Sequence, residues 1–128
     1  MLLVKTKLGM SPINGIGLFA DEFIPQGTVT WKISPGFDLK CSHEDLEKLS
    51  EAARMTFIRY CFQSKRTGLY VLCFDNARFF NHSFEPNILD ADALDSEEGI
   101  DIAAINILPG EEMTCDYRIF DAQFMSFL

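Results

Sequence analysis

Asp75-Asn76-Ala77-Arg78-Phe79-Phe80-Asn81-His82-Ser83-Phe84-Glu85-Pro86-Asn87 is too polar to be plain core, yet an adjacent aromatic pair anchors its centre. Asn81, His82 and Ser83 can each donate and accept hydrogen bonds, and Phe79 and Phe80 would hold the segment against a hydrophobic core. An Asn carboxamide sets an acceptor beside a donor, the complement of an adenine edge, so Asn81 is a candidate to read an adenosine ligand. Taken alone, the stretch reads more readily as a turn, because Asn and Ser bond their own backbone and Pro fixes φ.

Around this stretch the chain alternates between short strands and punctuated loops. Residues 69–74 form a short apolar strand that runs directly into it, and 63–68 a polar, basic loop. Downstream, 88–94 carry an acidic alternation, and Asp95-Ser96-Glu97-Glu98-Gly99 reads as a charged, solvated turn. Ile100, Ile102 and Ala104 alternate as a strand that Leu108-Pro109-Gly110 closes, and 111–117 make a further short strand ending in the phenol of Tyr117. Upstream, 2–8 read as a half-exposed strand, 9–17 as a loop rich in Gly, Pro and Asn, and Ile16 with 18–20 as a short strand. Residues 28–33 are β-branched and aromatic, a strand that Ser34-Pro35-Gly36 ends. One helix is expected: Ser42 with Asp45 resembles a capping box, and Leu46, Leu49, Ala53, Phe57 and Tyr60 recur at helical spacing to about residue 60. His43, in its first turn, reads as a surface residue. Many short strands with one helix imply a mainly β, loop-heavy domain.

The 128 residues fit one domain with one moderate core, and 12 Phe make that core aromatic. A net charge of −8 argues against nucleic acid and suits a cationic ligand or a basic protein segment. No secretion signal and no apolar run of membrane-spanning length is visible. Cys41, Cys61, Cys73 and Cys115 lack metal-ligand spacing and read as reduced thiols of an intracellular protein, with no metal expected. Residues 15–20, Gly-Ile-Gly-Leu-Phe-Ala, match the dinucleotide fingerprint in letters. That fingerprint must open a helix, however, and Pro25 and Gly27 break the chain too soon, so a nicotinamide oxidoreductase is set aside.

Three fragments in order carry a more specific pattern: 11–20 (Ser-Pro-Ile-Asn-Gly-Ile-Gly-Leu-Phe-Ala), Arg78-Phe79-Phe80-Asn81-His82-Ser83 with Pro86-Asn87, and 110–117 (Gly-Glu-Glu-Met-Thr-Cys-Asp-Tyr). Together they resemble the SET-domain protein lysine methyltransferases over nearly the whole chain. The resemblance implies a β-clip fold of small sheets with a pseudoknot, in which the Asn-His-Ser loop and the segment ending at Tyr117 thread together. It implies S-adenosylmethionine as cofactor, held by the backbone of Gly15, Ile16 and Gly17 and by Asn81 and His82, with Tyr117 as the active-site tyrosine. Tyr60-Cys61-Phe62 resembles the Tyr-x-Phe pair that lines the lysine channel with Tyr117, although core packing accounts for these rings equally well. The implied partner is a basic, lysine-containing protein substrate such as a histone; a SET-like module that binds a peptide without turnover is the alternative. The chain also departs from the family. Phe84 stands where many members carry a zinc-ligating cysteine, and no Cys-x-Cys cluster follows Tyr117. In its place 118–128 form an apolar tail in which Phe120, Phe124 and Phe127 recur at helical spacing. This tail is expected to cover the cofactor and lysine sites or to pack against a second copy of the chain.

Overall fold

The computed structural model describes residues 1–123. β1 (Thr6–Met10) and β2 (Ile16–Ala20) form an antiparallel hairpin in continuous register from Thr6 opposite Ala20 to Met10 opposite Ile16. Residues 16–20 are thus a strand and open no helix, as the rejection of the dinucleotide reading requires. β3 (Val29–Lys32) pairs with β9 (Ser96–Ala103), which pairs with β8 (Ile88–Ala93), in one three-stranded antiparallel sheet. β4 (Leu39–Cys41), β6 (Tyr70–Leu72) and β5 (Phe62–Gln63) form a second. The mainly β architecture of several small sheets is as expected.

The single helix expected over 42–60 is two. Ser42 accepts from the Asp45 N–H and Asp45 from the Ser42 N–H, a complete capping box, but α1 runs only over His43–Glu47. α2 (Glu51–Tyr60) starts afresh because Ser50 is itself an N-cap, accepting from the Ala53 N–H at 3.1 Å. The acidic turn expected at 95–99 is also different. The hairpin reverses before Ser96, Glu98 lies inside β9 and is buried, and Lys40 pairs with it at 2.7 Å. A charge that reads as solvated in sequence is therefore enclosed and neutralised by a partner from another sheet.

The central stretch folds as a 3-10 turn (Asn76–Phe79) followed by β7 (Asn81–His82). Asp75 caps the turn, accepting from the Ala77 N–H. β7 pairs in parallel with β10 (Thr114–Cys115), Asn81 beside Thr114 and His82 beside Cys115. Asn87 rivets the crossing, its amide donating to the Glu112 carbonyl and its oxygen accepting from the Thr114 N–H, both at 2.8 Å. On the opposite side the Met113 N–H donates to the Leu18 carbonyl at 2.8 Å, so segment 111–115 lies between β2 and β7. Met113 is fully buried there and joins Leu18, Ile24, Ile88 and Ile107 in the core. Burial of one such side chain stabilises by about 2 kcal/mol, so the crossing is held by packing as well as by backbone pairing. Cys115 and Cys73 are buried beside it, and burial pushes both thiols far above their usual range. α3 (Tyr117–Phe120) closes the described chain, with Asp116 as its N-cap; the strand expected to reach Tyr117 ends earlier.

Candidate active site

Gly15 has a positive φ of 47°, which lets the chain turn back into β2 without the strain a side chain would bring. Gly17 has another reason to lack a Cβ. An added Cβ would meet the Glu112 carboxylate and stand 3.0 Å from the Ser11 Cβ. Glu112 accepts from Ser11 Oγ at 2.8 and 2.9 Å through its two oxygens and from Asn81 Nδ2 at 2.9 Å. Asn81 Nδ2 also donates to the Asn14 carbonyl at 3.1 Å and reaches the Ile16 carbonyl at 3.4 Å. The structure thus brings Gly15, Ile16, Gly17 and Asn81 together, as the motifs lead one to expect. It adds two residues that sequence reasoning missed, Ser11 and Glu112, although both stand inside the quoted motifs. An acid at the start of a short strand reads as solvated, and only the crossing turns Glu112 inward.

His82 lies beside this cluster, half-buried, its Nδ1 accepting from the Tyr117 N–H at 3.1 Å. That bond fixes Nδ1 as the unprotonated nitrogen of the neutral ring. The ring packs edge-on against Phe84 at 4.5 Å and near Tyr117 at 5.4 Å. Phe84 also carries the Arg118 guanidinium over its face at 4.5 Å. Among the described residues no cluster of three metal-ligating side chains occurs.

Tyr60, Phe62 and Tyr117 all line one cavity of about 660 Å³. Its aromatic part also includes Phe120, which meets Phe62 at 5.1 Å and Tyr117 at 5.6 Å, edge to face in both cases. The Tyr117 hydroxyl donates to the Phe80 carbonyl, and burial raises its pKa well above that of an ordinary phenol. Phe80 lines the cavity and precedes Asn81, so the cluster at Gly15–Gly17 and the cavity are joined through Phe80, Tyr117 and His82. The tail enters the wall as well. Phe120 and Asp121 line the cavity, the Lys65 N–H donates to the Phe120 carbonyl at 3.0 Å, and the Ala122 N–H to the Gln63 carbonyl at 2.8 Å. The remaining tail positions, Phe124, Met125, Phe127 and Leu128, lie outside the described residues.

The cavity floor is polar in a way the sequence did not announce. Trp31, Asp101 and Asp90 stand opposite one another across β3, β9 and β8 and all line it. Asp90 is paired with Arg66 at 2.7 Å, and Arg66 also pairs with Asp92. Asp101 has no hydrogen-bond donor among the described residues; enclosure by protein, then the adjacent Asp90, push its pKa up to about 8.

A SET-domain family model matches residues 15–118, most of the chain, and the chain belongs to that family. Solved structures agree on the fold. A Plasmodium falciparum protein named as a candidate histone methyltransferase aligns with a TM-score of 0.60 at 20% identity, over 91% of this chain and 95% of that one. A humanized mutant of the Chaetomium thermophilum Polycomb Repressive Complex 2, bound to the inhibitor GSK126, aligns with a TM-score of 0.64 at 23% identity. That match covers 93% of this chain and 15% of the other. The comparison with curated proteins gave no match. No described helix is long and apolar enough to cross a membrane.

Proposed function

We propose that this chain is an S-adenosylmethionine-dependent protein lysine methyltransferase acting on a basic protein segment. The observation that carries the reading is the convergence of Tyr60, Phe62 and Tyr117 on one cavity, joined through the Phe80 carbonyl to the Gly15–Gly17 and Asn81 cluster.

The residues of that cluster fit the cofactor. A Cβ at Gly15 would meet nothing within 4 Å, so the loop has open space on its outer side. Asn14, Ile16 and Phe80 present carbonyls, an acceptor-rich rim suited to a cation. Asn81 spends its amide nitrogen on the loop, which leaves its oxygen to accept from an adenine amino group. When bound, the cofactor supplies an electrophilic methyl group on a positively charged sulfur.

The chain's own part is to bring a neutral amine to that methyl group in line. Free lysine has a pKa of about 10.4, so the amine must shed a proton. The rings of Tyr60, Phe62 and Phe120 favour the uncharged form by excluding water. The Tyr117 phenol stays protonated at neutral pH, since its pKa is raised, and it is fixed on the Phe80 carbonyl. It therefore orients the amine and does not act as a base. Alignment of the reacting atoms supplies the larger share of the acceleration. With the cofactor bound, these residues would hold the amine, its proton already given up to solvent, toward the methyl group that the cofactor supplies. The net charge of −8 favours basic substrates, histone segments among them. The start of the tail, through Phe120 and Asp121, forms part of the cavity wall.

Calorimetric titration with S-adenosylmethionine and S-adenosylhomocysteine, beside Asn81→Ala, tests the cofactor half. Binding by the wild type that the substitution weakens is expected. Absence of binding by a folded wild-type sample would turn the reading toward a peptide-binding module.

A further inference from the structure

The cavity is larger than its proposed ligand. About 660 Å³ lies in the range that holds a drug-sized molecule, whereas one lysine side chain needs a narrow aromatic sleeve, which Tyr60, Phe62, Tyr117 and Phe120 already provide. The rest of the space ends on the row formed by Trp31, Asp101 and Asp90. Two acids directly opposite on one face of a sheet repel each other. Arg66 pairs directly with Asp90 and Asp92; at Asp101 its charge offsets only part of the effect of burial and of Asp90. Asp101 is half-buried and lines the cavity, with no donor among the described residues. The indole N–H of Trp31, in the same row, is buried and also lacks a hydrogen-bond partner among the described residues. An unmatched carboxylate and an unmatched donor, side by side on a cavity floor, are each costly in the absence of a ligand.

We propose that Asp101, with Asp90 beside it, binds a second cationic group of the substrate, so that the site takes a dibasic segment and not a lone lysine. The target lysine occupies the aromatic sleeve, and a neighbouring Arg or Lys reaches Asp101. The other charged groups of the wall are already engaged: Glu98 by Lys40 and Thr67, and Asp121 by the backbone N–H groups of Gln63 and Gln123. Arg59 and Arg78 lie over the Tyr60 ring at 5.7 and 5.4 Å. Asp101 is the acid that a ligand would complete. The peptide nature of this ligand rests on the methyltransferase reading; the cation site itself rests on the cavity.

The test uses the full chain and two short peptides that differ only beside their single lysine, one carrying arginine and the other citrulline, its neutral isostere. Binding is followed by calorimetry and methyl transfer by mass. The wild type is expected to prefer the arginine peptide at least about tenfold, the scale of one charge-assisted contact. Asp101→Asn is expected to bring the arginine peptide down to the citrulline peptide's affinity, with cofactor affinity as the control for an intact fold. A wild type without the preference, including one that binds neither peptide, overturns the proposal, as does a preference that survives Asp101→Asn. An Asp101-dependent preference with no methyl transfer to either peptide would uphold the cation site and count against the methyltransferase reading alone.

Discussion

Tyr117 and Glu112 act at the same crossing but hold different things. Removing the Tyr117 hydroxyl leaves the ring packing and deletes one fixed donor at the junction between cavity and cofactor cluster. Tyr117→Phe is expected to lower methyl transfer by about 100-fold while S-adenosylmethionine affinity changes little; equal turnover in the two proteins would remove the assigned role. Glu112 touches neither ligand in this reading, yet Ser11 and Asn81 both donate to it. Glu112→Gln keeps the shape and turns one acceptor into a donor facing the Asn81 amide, so the loop at Gly15–Gly17 must shift. The expected result is a raised KM for the cofactor with kcat at saturation nearly kept, and Glu112→Asp should recover part of the loss. An equal fall in kcat would place Glu112 nearer the chemistry. Asp101 makes a prediction of opposite sign. Its folded pKa of about 8 lies above the unfolded value of about 4. Its favourable contribution is therefore fully present below pH 4 and lost as pH rises toward 8. Asp101→Asn should be as stable as the wild type near pH 4 and more stable at pH 8. We expect a gain of about 2 kcal/mol, below the roughly 5.6 kcal/mol that about four pH units at about 1.4 kcal/mol each would allow, because the cavity is open to solvent. Denaturant unfolding at the two pH values reads this directly, and a less stable variant at pH 8 would contradict it.

At the scale of elements, what could be read from the sequence divides by how local the cause is. β2 and β3 carry their β-branched and apolar residues in runs, and the box at Ser42 and Asp45 is a neighbour interaction, so these were legible. The break at Ser50 was not, because helical spacing continues through it and two capping serines compete within one apolar pattern. Glu98 and Asp101 were missed for a different reason: period-two alternation assigns a residue to a face, but whether that face meets water, Lys40 or a cavity depends on other sheets. The site motifs were legible as motifs, while Ser11 and Glu112 acquired roles only when residues roughly a hundred positions apart met. α2 shows what a weakly anchored element implies. It has no buried residue, begins at a serine cap, and contributes Met55, Ile58, Arg59 and Tyr60 to the cavity wall. Amides of Glu51–Tyr60 are expected to exchange with solvent much faster than those of β9 and to slow by about tenfold or more on binding a basic peptide. Exchange in α2 that is indifferent to peptide would mean that the wall does not close on substrate.

An acidic domain with arginines and aromatic rings at its cavity must still select its substrate. Nineteen acidic residues face eleven basic ones, giving the net charge of −8. The basic residues nearest the proposed lysine sleeve, Arg59 and Arg78, lie over the Tyr60 ring and line the cavity wall. Long-range attraction therefore comes from the surface as a whole, and the local choice from Asp101 and the aromatic walls. These two contributions respond differently to salt. Surface attraction is screened once the Debye length falls from about 10 Å at 0.1 M toward 3 Å at 1 M, whereas contacts inside the cavity are screened far less. The association rate of a basic peptide is accordingly expected to fall by about tenfold or more between low and high salt. Its dissociation rate and the cofactor affinity should change little over the same range. Stopped-flow binding at several salt concentrations separates the two. An association rate that ignores salt would assign recognition to the cavity alone, and a dissociation rate that rises in step with salt would place the decisive contacts on the exposed surface, where neither Asp101 nor Tyr117 could control them.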